Sequence, residues 1–224
     1  MAGWIALHGG GEFQRGSEIG DRRLIVAAGG ADAHVVIVPT AAGIDYPEAA
    51  ARNGMAWFKK LGARVDAAMA VDQKSANDPK VVAKIENATM LYLPGGDPVF
   101  LVNALRRSEA WSAMKKVHAN GAVIGGASAG AMALGSKMWN PHNGSLIDGL
   151  DLIPIMTLPH FRAESNDRAK GVRAQLDPVI RLFGVAERTS AIFDGSNWIV
   201  FGPGEVVEFG PAGPRTYQTG EVIK

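Results

Sequence analysis

Five short apolar runs, each ending in glycine or a turn residue, constrain this chain more than any other feature. Trp4–His8 runs into Gly9-Gly10-Gly11, His34–Pro39 into Thr40, Met90–Leu93 into Pro94-Gly95-Gly96-Asp97, and Ala122–Gly126 into Ala127-Ser128-Ala129-Gly130. Ala63–Ala68 is a weaker fifth run. Runs of four to eight β-branched and apolar residues that alternate with amphipathic stretches read as βα units around a parallel sheet, buried on both faces. The stretches between them read as helices over Ser17–Ala28, from Asp45 with Pro47 in the first turn to a stop at Gly62, from Asp78-Pro79 through Ile85, and over Val99–Arg106 and Ala110–His118. An open sheet of this kind places its ligands at the ends of its strands, where the glycines are.

Beyond Ser128 the pattern changes. Trp139–Leu150 reads as a loop, Ile155–Leu158 as a strand leading to Pro159-His160-Phe161, and Asp167–Phe183 as one long helix. Short strands at 190–193, 197–201 and 205–209, separated by turns, predict antiparallel strands that close the sheet near the C-terminus. With no linker, repeat or low-complexity stretch, residues 1–224 are expected to form a single domain.

Composition removes several function classes. Lys plus Arg number 23 against 22 Asp plus Glu, a net charge of +1, which offers no basic stripe for a nucleic acid or membrane surface. Absence of cysteine excludes disulfides, thiolate metal sites and a thiol nucleophile, so covalent chemistry falls to oxygen or nitrogen. The opening residues lack a basic n-region, and no uncharged apolar stretch is long enough to span a bilayer, which predicts a cytoplasmic protein.

Gly126-Ala127-Ser128-Ala129-Gly130 is a G-x-S-x-G between a predicted strand and a predicted helix. Small neighbours let a serine sit on a tight turn with its hydroxyl exposed, and the next amide then opens a helix, ready to face an oxyanion. Such a serine needs a base. Of the five histidines, His34 precedes a buried strand and His118 lies at a polar helix end, while His8 and His142 are placed where they can line a cleft. His160, at the end of the strand that follows the elbow, is the best base. Asp148, Asp151 and Glu187 are all placed to orient it, and spacing does not choose among them. Leu93-Pro94-Gly95-Gly96-Asp97 is well placed to give a second oxyanion donor, with Asp97 as a helix cap. The Gly9-Gly10-Gly11 run has no following Walker or G-x-G-x-x-G pattern, so a nucleotide role is not expected.

Taken in order, LHGGGE at 7–12, VPTAAG at 38–43, LPGGD at 93–97, GGASAGAM at 125–132, LPHF at 158–161 and GVAERTSAIFDG at 184–195 resemble the cyanophycinase and dipeptidase E family of serine peptidases. The resemblance implies a class I glutamine amidotransferase-like fold: a mostly parallel, doubly wound, flavodoxin-like sheet with helices on both faces. It also implies Ser128 as nucleophile, His160 as general base, and the amides of Gly96 and Ala129 as the oxyanion hole. For the acid, Glu187-Arg188-Thr189-Ser190-Ala191 has the shape of the cyanophycinase stretch, whereas the dipeptidase E branch carries an aspartate between serine and histidine, where this chain has Asn143 with Asp148 nearby. Glu187 is therefore the expected acid. Both branches cleave next to an aspartate, and a carboxylate calls for an arginine fork. Arg162, Arg168 and Arg173 follow His160, Arg168 being the favoured partner, and the cyanophycinase R-x-R pattern is not reproduced in full.

The expected activity is hydrolysis of an amide adjacent to an aspartyl residue, in a dipeptide or isopeptide, through an acyl-enzyme. Gly10, Gly95, Asp97, Arg162 and Arg168 are expected to line the substrate site, without metal or cofactor. The expected partner is a small peptide or isopeptide, with no nucleic acid or membrane, and a homodimer is an open expectation. Two other readings remain: a non-catalytic binding module on the same fold, and a hydrolase of small amides or esters on the same triad.

Overall fold

The computed structural model describes residues 2–224. In its first half five parallel strands are built: β1 (Ile5–His8), β2 (His34–Ile37), β3 (Arg64–Ala67), β4 (Met90–Leu93) and β5 (Val123–Ala127). Between them run α1 (Glu18–Ala27), α2 (Pro47–Lys60), α3 (Pro79–Glu86), α4 (Pro98–Leu105) and α5 (Glu109–Ala119). Alternation along each strand explains the two-sided packing. Ala6, Val35, Ile37, Met90 and Tyr92 point to the face covered by Leu24 of α1 and Phe58 of α2. Leu7, Val36, Leu91 and Leu93 point to the other face, beneath Ile85, Leu101, Trp111 and Met114 of α3, α4 and α5. With both faces covered, the inner strands are apolar over Ile5–Leu7, Val35–Ile37, Met90–Leu93 and Val123–Ala127, while the edge strand β3 carries Arg64 and Asp66.

After β5 come α6 (Ala129–Leu134), the hairpin β6 (Lys137–Trp139) and β7 (Leu146–Asp148), and β8 (Ile155–Leu158). Then follow α7 (Asn166–Arg173), β9 (Arg181–Val185), β10 (Ser190–Phe193), β11 (Trp198–Phe201), β12 (Val206–Gly210), β13 (Gly213–Tyr217) and β14 (Val222–Ile223). The eight-stranded main sheet has the order β14-β11-β10-β1-β5-β4-β2-β3, with β10, β11 and β14 antiparallel beside β1. The remaining late strands form a second sheet, β13-β12-β9-β8.

Four local expectations are corrected. The long helix over Asp167–Phe183 stops at Arg173, because Pro178 disfavours helical backbone at Asp177 and the Arg173 guanidinium donates to the carbonyls of Leu176, Asp177 and Ile180, closing the turn. Residues 181–185 then become a strand between β8 and β12. Trp139–Leu150 contains most of a β-hairpin rather than a plain loop. The late strands do not all join the main sheet, and β8, which leads to His160, belongs to the second one. Asp45 does not cap α2, whose cap position is Tyr46 with Pro47 following. Among the described residues no helix is long and apolar enough to cross a membrane.

Candidate active site

The C-terminal ends of β1, β4 and β5 meet the turns after β8 and β9 at one rim. Ser128 stands between β5 and α6 with φ 49° and ψ −110°, a strained conformation for a residue with a Cβ. Close packing accounts for the glycines on either side. A Cβ on Gly126 would lie 2.5 Å from the Gly130 carbonyl carbon, and one on Gly130 would lie 2.1 Å from the Leu93 carbonyl oxygen. The elbow is therefore pressed against itself and against β4, and larger residues would push the serine out of place.

His160 Nε2 lies 2.8 Å from Ser128 Oγ, and its Nδ1 lies 2.5 Å from Glu187 Oε1. With Nδ1–H donating to the carboxylate, Nε2 keeps its lone pair directed at the Ser128 hydroxyl. The His160 and Glu187 side chains are 49% and 39% exposed, so the constellation is open to a ligand from solvent. Of the other two acids, Asp148 is ion-paired to Lys137 Nζ at 2.5 Å, which holds its carboxyl below the usual range. Asp151 is an exposed residue with φ 57°. Glu187 alone of the three reaches the imidazole.

Gly95 and Gly96 lie on the other side of the serine. A Cβ on Gly95 would be 3.3 Å from Ser128 Cβ, so this residue faces Ser128 directly. Its amide donates to Glu12 Oε1 at 2.8 Å, which ties the turn after β4 to the segment after β1. Gly96 has φ 144° and packs on Ala41, where a Cβ would lie 2.2 Å from the carbonyl oxygen. Among the described residues neither the Gly96 amide nor the Ala129 amide that opens α6 donates a hydrogen bond. Asp97 caps α4 through the amides of Val99 and Phe100 and takes His142 Nε2 at 2.8 Å on its other oxygen, pinning the β6–β7 turn beside the site.

Gly10 lies against the imidazole: a Cβ there would be 2.3 Å from His160 Cε1. A cavity of about 240 Å³ opens beside His160, walled by Met132, Trp139, Leu158 and Phe161, with Ser165 and Arg168 also lining it. The Arg168 guanidinium stacks on the Trp139 ring at 4.5 Å, which orients a cation at an otherwise apolar wall. Arg162 is exposed just after Phe161, and Arg173 is occupied by backbone carbonyls away from the cavity. Glu12 and Trp139 were not assigned roles by sequence reasoning. Glu12 ends the HGGGE run, which is the signal by which it could be found. Trp139 lies in the stretch that reads as a loop, and nothing there pointed to it.

The model of peptidase family S51 matches residues 5–199. Cyanophycinases of Synechococcus elongatus and Thermosynechococcus vestitus are each 28% identical to this chain over 197 residues, which is 82% of this chain and 61% of theirs. The chain thus spans less than two thirds of the length of these curated relatives. Among solved structures, a peptidase from an acI-B1 Actinobacterium superposes with a TM-score of 0.87 at 24% identity, over 100% of this chain and 97% of that one. A putative Peptidase E from Listeria monocytogenes EGD-e gives 0.68 at 16% identity, over 91% of this chain and 100% of that one. At these identities the two structures speak to the fold, a mixed α/β architecture with a mostly parallel sheet.

Proposed function

The chain belongs to peptidase family S51, and on that premise we propose that it is a serine peptidase that cleaves an amide next to an aspartyl residue through an acyl-enzyme on Ser128. The observation that carries this reading is the unbroken chain from Ser128 Oγ through His160 to Glu187. In the proposed reaction His160 takes the serine proton as Oγ attacks the carbonyl. The developing oxyanion is met by the amides of Gly96 and Ala129, which have no competing acceptor. His160 then protonates the leaving amine, and a water activated by the same imidazole releases the acid. Glu187 keeps the imidazole in the tautomer this needs and stabilises its charged form.

Substrate selection rests on the cavity beside His160. Arg168, held by Trp139, and the exposed Arg162 are the cations offered to a carboxylate, while Gly95 lies against Ser128 and Asp97 is bound to His142. The similarity to cyanophycinases, together with the family resemblance of the site motifs, supports an aspartyl substrate class. We take residues 1–224 to act as one domain, which fits the core cluster that joins Leu7 and Val200 of the main sheet to Phe183 and Val206 of the second.

A fluorophosphonate probe followed by intact mass and peptide mapping tests the nucleophile. One adduct on Ser128, lost in Ser128→Ala and in His160→Ala, is the expected result. No adduct on the wild-type protein across the range where a histidine acts as a base, about pH 6 to 9, overturns it in favour of a binding module. Release of amino acids from aspartyl dipeptides and β-aspartyl isopeptides, compared with asparaginyl analogues, tests the substrate. Equal turnover of the neutral analogues would leave the serine hydrolase standing and remove the aspartyl preference.

A further inference from the structure

β1 ends in a row of carbonyls that holds every segment of the triad. The His8 carbonyl accepts the Ser128 amide at 3.1 Å, the Gly9 carbonyl accepts the His160 amide at 2.6 Å, and the Gly10 carbonyl accepts the amide of Arg188, which follows Glu187, at 2.8 Å. The three donors share one oddity: Ser128, His160 and Arg188 have φ of 49°, 53° and 57°. Each is a non-glycine residue with positive φ, of which there are six among the described residues, and such conformations persist only where the surroundings over-determine them. Residues 8–10 thus act as a template. A shift of this tripeptide would move nucleophile, base and acid by different amounts, because each hangs on a different carbonyl.

The first residue of the template carries a buried imidazole that the proposed chemistry does not use. His8 is 2% exposed, its Nδ1 lies 2.8 Å from Ser190 Oγ on β10, and its Nε2 faces Asp21 Oδ1 of α1 at 3.8 Å. Asp21 is fully buried, and its other oxygen accepts the Trp57 indole N–H at 2.8 Å. The remaining side of the ring packs on Tyr92, 5.4 Å between centroids. Burial pushes the His8 imidazole down to about 4, so it is uncharged at neutral pH and does not compete as a base. A polar ring in a core costs stability unless it is hydrogen-bonded, and here Nδ1 ties β1 to β10 while the Nε2 side packs toward α1, at the height of the carbonyl row.

We infer that His8 is a positioning residue for the triad, its ring fixing the 8–10 carbonyls at the spacing that brings Ser128, His160 and Glu187 into line. This rests on the serine-peptidase reading, and the test separates the two. The readouts are the rate of fluorophosphonate labelling at Ser128, kcat and KM on a cleaved peptide, and folding by circular dichroism and Tm. His8→Leu keeps the bulk and removes both ring nitrogens. The expected result is a fold that survives, with labelling and kcat down about 10- to 100-fold, as sub-ångström to 1 Å misplacement predicts, and KM within about 3-fold. His8→Asn places an amide nitrogen where Nδ1 stood, keeps the Ser190 partner, and is expected to restore most of the lost rate. Ser190→Ala removes that partner without opening a large cavity and is expected to lower labelling in the same direction.

Labelling of Ser190→Ala at the wild-type rate overturns the inference whether or not His8→Leu folds. A folded His8→Leu protein with a raised KM and unchanged kcat also overturns it. A wild-type protein that never labels overturns the serine-peptidase reading, and this inference with it.

Discussion

Replacing Gly10 by alanine should disable the base while leaving the fold in place, and the size of the effect follows from the geometry. The added Cβ would lie 2.3 Å from His160 Cε1 and 2.6 Å from Nδ1. Carbon atoms in contact sit about 3.5–4.0 Å apart, so the ring must retreat by roughly 1 Å or more. It has somewhere to go, since the His160 side chain is 49% exposed. The Ser128 Oγ to Nε2 separation is 2.8 Å now, and a retreat of that size takes it past about 3.6 Å, where a hydrogen bond no longer exists. The rate of serine labelling should then fall about 100-fold or more. Gly10 also has φ 117°, which an alanine adopts only at a cost of about 1–3 kcal/mol. A Tm drop of several degrees is therefore expected beside the rate loss.

The assay is the pseudo-first-order rate of adduct formation at Ser128 by intact mass, with Tm measured on the same samples. Gly171→Ala is the control, because a Cβ at Gly171 in α7 meets nothing within 4 Å. Alanine in a helix is favoured over glycine by up to about 1 kcal/mol, so this variant should label normally and melt about 2–4 °C higher. Labelling of Gly10→Ala within about 3-fold of wild type, at a size where 1 Å of misplacement predicts far more, would refute the claim that Gly10 sets the position of the imidazole.

Glu187→Gln should lower kcat about 100- to 10,000-fold with KM little changed, whereas Asp148→Asn, which alters only the surface pair with Lys137, should leave steady-state turnover within error. Arg168→Met should raise KM for an aspartyl substrate about 10-fold or more, by removing a charge-assisted contact, and a change in kcat alone would place Arg168 outside the binding step. Burial raises Asp21 from 3.8 to about 7 in the folded chain, so its contribution to stability is fully present below the unfolded value and is lost as pH rises through the folded one. Asp21→Asn should therefore gain Tm relative to wild type between about pH 5 and pH 8. His8 shifts the opposite way, to about 4, and its contribution is present above its unfolded value and lost as pH falls. The wild-type profile should then be flatter on the acid side than that of Asp21→Asn, and a Tm difference that does not vary with pH would contradict the buried, protonated state of Asp21.

Much of the fold was legible because periodicity and punctuation agree. The strands at 34–37, 90–93 and 123–127 are apolar but for the leading His34, lie next to glycine- or proline-containing turns, and are covered on both faces. The helix that begins at Pro47 and gives way before Gly62 announces both its ends. Where reading failed, local and tertiary terms conflicted. Residues 181–185 look helical when counted on from α7, but Pro178 breaks the run and two neighbouring strands capture the rest. Membership of the second sheet could not be read, since the strands that form it are separated by β10 and β11 of the first.

The site divides in the same way. Ser128 and His160 were legible because a tight elbow and a strand-end histidine each have a local signature. Spacing leaves the acid open among three carboxylates, and only the resemblance singles out Glu187, because an acid that orients a histidine needs only a direction and a distance. The carbonyl row at His8, Gly9 and Gly10 left a visible trace, the glycine run, yet that run has two physical readings. Glycine clears space for a ligand that approaches the backbone, and it equally clears space for a neighbouring side chain. Here the neighbours are the His160 ring over Gly10 and the Glu187 carboxylate over Gly11, 2.3 and 2.5 Å from where a Cβ would be. A glycine-rich turn after a first strand is thus evidence of close approach and not of what approaches, and in this chain what approaches is the base and the acid of the proposed triad.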